Sequence, residues 1–150
     1  IYVFDLDGTL CNIDHRLHHI KKDKPDWKAF NEACIEDKAI ENVVYIADAL
    51  YEHHDIIILT GRSEEYLDQT KTWLSTHTFL YPGKIEILMR PAGDFRPDHI
   101  VKKELLDNYL VSKESISSKD IAAIFEDRQS VVNMWRENGY KCLQVAPGDF

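Results

Sequence analysis

Apolar positions follow two alternating rhythms along this chain. Short runs rich in β-branched and aromatic residues are each followed by a stretch where apolar residues recur every three or four positions. Ile1 to Asp5 predicts a first strand. Asp55 to Thr60 (DIIILT), Ile85 to Met89, Asp120 to Phe125 and Cys142 to Val145 predict the others. DIIILT is apolar without alternation, as expected of a strand buried on both faces. Asp26 to Cys34 reads as a helix with Trp27, Phe30 and Cys34 on one stripe, and Ile40 to His53 as a second, carrying Val43, Val44, Ile46, Ala47 and Leu50. Ser63 to Thr76 is a third, with Ser63 as its cap and Glu64 and Glu65 at its positive end. Pro97 to Val111, with Ile100, Leu105, Leu106 and Leu110 inward, and Gln129 to Asn138, stopped by Gly139, complete the set.

Strands alternating with helices predict an α/β architecture, a parallel sheet with helices on both faces. The rhythm breaks once. Between the first two strands the chain spends residues 11 to 54, more than one crossover helix needs. Residues 13–39 are therefore expected to form a small helical insertion over the sheet edge.

Composition narrows the class. A chain of 150 residues suits one domain with a sizeable core, and 44% hydrophobic with 29% charged residues is ordinary for a globular protein. No apolar run reaches the roughly 20 residues of a spanning helix, and no charged leader precedes an apolar segment. Cys11, Cys34 and Cys142 are scattered and lack CxxC spacing, so reduced thiols and a cytoplasmic location are expected. The net charge of −8 opposes sequence-independent grip on long duplex but leaves room for a substrate with one phosphate group. Arg16, Lys21, Lys22, Lys24 and Lys28, with His15, His18 and His19, form a locally basic stretch that reads mostly as a solvated helix face.

The candidate chemistry sits at strand ends. In Phe4-Asp5-Leu6-Asp7-Gly8-Thr9 the two aspartates lie at i and i+2 and face one side. Gly8 permits a tight turn, and ligands of open α/β sheets bind beyond the carboxyl ends of the strands. Leu59-Thr60-Gly61-Arg62 offers a hydroxyl, a glycine and a following helix start, an anion site. Lys102 falls early in a helix, where the dipole disfavours a cation, so an anionic partner is expected; Lys103 cannot face the same way. Phe125-Glu126-Asp127-Arg128 repeats the pattern of carboxylates after a buried strand. Carboxylates converging at one sheet edge repel unless a divalent cation lies among them, and oxygen-only donors favour Mg2+ over Zn2+.

In this order, DxDGT, Thr-Gly-Arg, a helix lysine and Glu-Asp resemble the haloacid dehalogenase superfamily of phosphohydrolases. Val101-Lys102-Lys103-Glu104, Val131 to Arg136 and Gln144 to Phe150 are similar to the 3′-phosphatase domains of phage polynucleotide kinases. The resemblance implies a Rossmann-like α/β fold with a small helical cap after the first strand. It implies Asp5 as the nucleophile of an aspartyl-phosphate pathway and Asp7 as general acid and then base. Thr60, Gly61 and Lys102 would hold the phosphoryl oxygens, and Arg62 and Arg16 would neutralise phosphate charge. Asp127, with Glu126 behind it through water, would hold Mg2+ together with Asp5 and the Asp7 carbonyl. A Mg2+-dependent phosphomonoesterase acting on nucleic-acid 3′-phosphate ends is the expected function. A phosphatase of a nucleotide or other small metabolite, and a non-catalytic nucleic-acid or metal-binding module, are the alternatives. Trp27 and Phe30, in the insertion, are the aromatics considered for stacking a base. There is no GxxxxGK[ST], so these residues carry no P-loop kinase.

Overall fold

The computed structural model describes residues 1–148; the last two residues of the Gln144–Phe150 resemblance lie outside them. In chain order the elements are β1 (Tyr2–Phe4), β2 (Cys11–Asn12), α1 (Trp27–Glu32), β3 (Lys38–Ala39), α2 (Glu41–Tyr51), β4 (Ile56–Ser63) and α3 (Leu67–His77). Then come β5 (Glu86–Arg90), α4 (Asp98–Ser112), β6 (Ala123–Arg128), α5 (Gln129–Glu137) and β7 (Cys142–Gly148). Five strands form one parallel sheet in the order β5-β4-β1-β6-β7. The chain moves outward from β1 to β4 and β5, then crosses through α4 to β6 and β7. β1 is therefore the switch point, and the crevice beyond its carboxyl end is where such sheets bind ligands.

Alternation along the strands divides the core in two. Phe4, Ile56, Ile58, Ala123 and Phe125 pack with Val43, Val44 and Ala47 of α2 and with Trp73 and Leu74 of α3. Val3, Ile57, Leu59 and Ile124 face the other way, onto Leu106 of α4 and Val131, Val132, Met134 and Trp135 of α5. The rings of Phe4 and Phe125 stack across β1 and β6 at 4.3 Å. Both faces of β4 are thus covered, as its unbroken apolar run predicts.

Three local expectations change. Ile100 is 42% exposed rather than inward. The helix expected over residues 26–34 is α1 followed by a 3-10 turn, Ala33–Glu36; Asp26 caps it by accepting from the Ala29 N–H at 3.0 Å. Its stripe is only partly core: Phe30 and Cys34 are buried, while Trp27 is 46% exposed. β4 runs on to Ser63 with a register irregularity after Thr60, so Thr60-Gly61-Arg62 belongs to a bulged strand end and not to a helix start. Ser63 caps a 3-10 turn, Glu64–Tyr66, before α3 begins.

Residues 13–37 leave the sheet between β2 and β3, which pair antiparallel as Cys11 with Ala39 and Asn12 with Lys38. This short ladder is a neck that fixes both ends of the insertion beside β1. The three cysteines are free and buried. No helix among the described residues is long and apolar enough to cross a membrane.

Leu106, fully buried on the α4 side, tests the second core layer. Leu106→Ala is expected to cost about 2–5 kcal/mol in urea unfolding; a change near zero would mean that α4 does not pack as described.

Candidate active site

Asp5 extends the β1 ladder by donating its N–H to the Phe125 carbonyl at 3.0 Å. The chain then reverses: the Leu6 carbonyl accepts from the N–H groups of Thr9, Leu10 and Cys11, and Gly8 takes φ +87°. A side chain at Gly8 would be strained there and would run into the Asp127 carboxylate. The turn therefore carries Asp5 and Asp7 on a short, hydrogen-bonded loop directly against the end of β6.

The carboxylates separate into two groups of different charge balance. Asp5, Glu126 and Asp127 place one oxygen each within 4.8 Å of one another. Lys102, buried on α4, donates to Asp5 Oδ1 at 2.8 Å and to Glu126 Oε2 at 2.7 Å. Glu126 Oε1 accepts the N–H groups of Asp127 and Arg128, and Thr9 Oγ1 donates to Asp5 Oδ2 at 3.2 Å. Asp127 Oδ1 is buried with no hydrogen-bond partner among the described residues. One ammonium thus stands against three carboxylates. Burial and then the charge of Asp5 push Asp127 up to about 7. Burial and then Glu126 raise Asp5, and burial raises Glu126. Burial alone would lower Lys102, but Asp5, Glu126 and Asp98 outweigh it and keep the ammonium charged.

The other group is balanced. Asp7 Oδ1 accepts from Arg16 Nη2 at 2.7 Å and from Arg62 Nη2 at 2.5 Å. Asp37 takes Arg16 through Nε at 2.7 Å and Nη2 at 2.6 Å, lies 3.6 Å from Arg62 Nη2, and bonds His15 Nε2 at 2.7 Å. Arg16 also donates to the Phe30 carbonyl and stacks on the Phe30 ring at 4.2 Å. Arg62 Nη1 donates to Thr70 Oγ1 at 2.9 Å. Burial would raise Asp7, but Arg62 and then Arg16 outweigh it and hold it at about 2.

Both groups border one cavity of about 550 Å3, lined by Asp5, Asp7, Thr60, Gly61, Arg62, Lys102, Glu126 and Asp127. These expected site residues converge there. Arg16 does not line the cavity; it is buried behind Asp7. The Asp7 carboxylate points to the arginines and stands apart from the Asp5–Glu126–Asp127 group. Phe30 lies under Arg16, and Lys103 pairs with Asp107 away from the site.

Two residues escaped the sequence reading. Asp37 clamps the insertion to both arginines. Asp98 accepts from Arg90 Nη2 at 2.7 Å and lies 3.2 Å from Arg128 Nη1 and 3.8 Å from Lys102 Nζ. Burial would raise Asp98, but Lys102, Arg128 and Arg90 lower it. It stands one helical turn before Lys102, and that i, i+4 spacing was the available signal. A Cβ at Gly61 would collide with the Asp98 carboxylate, which explains the glycine between Thr60 and Arg62.

The Asp5–Glu126–Asp127 group fits a hard divalent cation: its donors are all oxygen, its charge is under-compensated, and Asp127 Oδ1 lacks a partner.

The family model for the polynucleotide kinase PNKP phosphatase domain matches residues 1–150. The chain belongs to that family. It is a HAD phosphohydrolase, a hydrolase of phosphate esters, and membership implies a divalent metal. Among curated proteins it is 29% identical over 135 residues to a "Putative bifunctional polynucleotide kinase/RNA ligase" of Autographa californica nuclear polyhedrosis virus, covering 89% of this chain and 17% of that protein. A solved "Pnkp1/Rnl/Hen1 RNA repair complex" contains a chain 30% identical at a TM-score of 0.79, covering 99% of this chain and 43% of that one. CbbY from Rhodobacter sphaeroides in complex with phosphate shares the fold at a TM-score of 0.58 and 13% identity, over 99% of this chain and 86% of that one. The present chain thus spans less than half the length of its PNKP-type relatives.

The charge balance of this PNKP-type site has two measurable consequences. Burial and Asp5 push Asp127 from the ordinary 3.8 up to about 7, so without metal the fold favours its protonated form, and stability is lost as pH rises from about 3.8 to about 7 and levels off above that. Asp5 and Glu126, also raised, act in the same direction. Thermal melts with a chelator should show Tm falling between about pH 4 and 7, with a flatter slope in Asp127→Asn; a Tm rising across that window contradicts the clustering. Asp37→Asn strips two buried guanidinium groups of a counter-charge and is expected to cost about 3–5 kcal/mol in urea denaturation. A cost below about 1 kcal/mol would mean the ion pairs are solvated.

Proposed function

We propose that this domain is a Mg2+-dependent phosphomonoesterase that works through an aspartyl-phosphate on Asp5 and removes 3′-phosphates from nucleic-acid ends. The observation that carries the chemistry is the pairing at the cavity floor. Asp5 is held by Lys102 and Thr9, and Asp7, two residues on, is held by two arginines. Membership in the PNKP phosphatase family supports the polynucleotide substrate.

Asp5, fixed on its ladder and by two donors, presents a carboxylate oxygen to phosphorus without rotamer search. Lys102, Arg62 and the Thr60 and Gly61 end of β4 meet the equatorial oxygens, where charge builds in the transition state. Mg2+, held by Asp5, Asp127 and the Asp7 carbonyl with Glu126 behind, would supply charge neutralisation between nucleophile and phosphate. Asp7 at about 2 is an anion and cannot donate a proton in the free protein. Arg62 lines the cavity while Arg16 is buried behind it. An incoming phosphate therefore competes with Asp7 for Arg62. Losing that guanidinium raises Asp7, which then takes up a proton from solvent and passes it to the leaving oxygen as the bond to phosphorus breaks, while Arg16 keeps the carboxyl in place. The insertion at 13–37 acts as a cap, tied to this exchange through Asp37.

The competing substrate, a nucleotide or other small phosphorylated metabolite, is favoured by the charge of −8. Phosphate release in Mg2+ should be compared for a 3′-phosphorylated oligonucleotide, its 5′-phosphorylated isomer and free nucleoside monophosphates. The 3′-phosphorylated oligonucleotide is expected to have the highest kcat/KM. Lys102→Ala is expected to lose about 10²- to 10³-fold, and Asp5→Asn to lose all measurable turnover. Preference for free nucleotides moves the substrate to the metabolite class, and full activity of Asp5→Asn removes the nucleophile assignment.

A further inference from the structure

Two large aromatic side chains face water at the mouth of the cavity. Trp27 of α1 is 46% exposed, and Phe95, in the loop between β5 and α4, is 89% exposed. Both line the same cavity as Asp5. They come from separate parts of the fold, one from the insertion and one from the loop after β5, and border the same cavity as the acidic floor.

The loop that carries Phe95 is not free to fold the ring away. Arg90 fills its interior, donating to the carbonyls of Gly61, Asp94 and Arg96 and to the Asp98 carboxylate. Arg96 is held by Asp94 and Glu104, and the Ala92 N–H donates to Glu64. Much hydrogen bonding is spent on a loop whose tip leaves a phenyl ring in water. Trp27 is similarly fixed, edge-on to the buried Phe30 at 5.6 Å.

Charge chooses the occupant. The arginines of this rim are committed to carboxylates: Arg96 to Asp94 and Glu104, Arg90 to Asp98. Lys28, beside Trp27, also lines the cavity and is exposed, pairing with Glu32 at 3.8 Å, so in a chain of net charge −8 this rim offers few cations to the phosphodiesters of a strand. It offers aromatic faces instead, and every nucleobase has a matching face. We infer that Phe95 and Trp27 are stacking surfaces for the nucleobases next to the 3′-phosphate, so that this domain grips a single-stranded end by its bases. The inference rests on the polynucleotide reading above and adds the subsite that recognises the strand.

The test is steady-state kinetics on a 3′-phosphorylated single-stranded oligonucleotide, on the same oligonucleotide abasic at its last two nucleotides, and on p-nitrophenyl phosphate. Phe95→Ala and Trp27→Ala are each expected to raise KM on the base-bearing strand by roughly 5- to 100-fold, with a much smaller effect on kcat. That penalty is expected to shrink to about twofold on the abasic strand, and Phe95→Trp is expected to restore KM. Wild-type KM is expected to rise only weakly with salt, as one or two phosphate contacts would give. Unchanged KM in both alanine variants, or equal losses on intact and abasic strands, overturns the stacking inference and leaves the phosphatase reading standing. Hydrolysis of p-nitrophenyl phosphate without hydrolysis of any oligonucleotide overturns the polynucleotide reading, and this inference with it.

Discussion

Unequal charge compensation across a single buried floor is the constraint on which the rest depends. On one side Asp7 and Asp37 meet Arg16 and Arg62, two anions to two cations. On the other, Lys102 pairs with Asp5 and Glu126, and Asp127 stands beside them with no ion pair among the described residues. Both sides expose little area, so solvent and salt screen the difference far less than on an open surface. The deficit falls where a divalent cation fits, next to the unpaired oxygen of Asp127. The balanced side needs no metal and holds Asp7 as an anion. In the proposed mechanism, metal chemistry and proton chemistry thereby fall to neighbouring carboxylates two residues apart in sequence.

The fold serves this division. β1 is the switch point, and its end faces the ends of both β4 and β6. β6 delivers Glu126 and Asp127, β4 delivers Thr60 to Arg62, and α4 places Lys102 and Asp98 on one helical turn. The neck of β2 and β3 brings Arg16 and Asp37 to the same place from outside the sheet. A conventional crossover helix would have supplied neither. The insertion contributes half of the balanced ion group as well as the exposed Trp27.

The strands were legible because β4 and β6 are short, apolar and β-branched, and each ends abruptly in polar residues. The site residues at those ends were legible for the same reason: a carboxylate directly after a buried strand has few bland explanations. Asp37 had no such signal. It sits in Glu36-Asp37-Lys38, where Glu36 is exposed and Asp37 buried, and only tertiary contacts with Arg16 distinguish them. Asp98 reads locally as an ordinary acid in the first turn of a helix. Ile100 reads as core by spacing, yet α4 turns that position outward because Val101, Lys102 and Leu106 take the inner face. Phe95 lies in a loop, where periodicity carries no information.

The acidity of the chain and an affinity for nucleic acid are compatible once the ligand is an end instead of a length. Binding along a duplex draws its energy from many lysine and arginine contacts with phosphate, and a charge of −8 works against that. A terminal monoester, the substrate proposed here, concentrates its charge on one group, which the buried cations Lys102 and Arg62 would meet on the floor. On that reading the rim has only to hold the adjoining nucleotides, and stacking would do so without regard to net charge. On the proposed reading, rim arginines already paired with carboxylates would also leave internal phosphodiesters weakly bound, favouring termini over the interior of a strand.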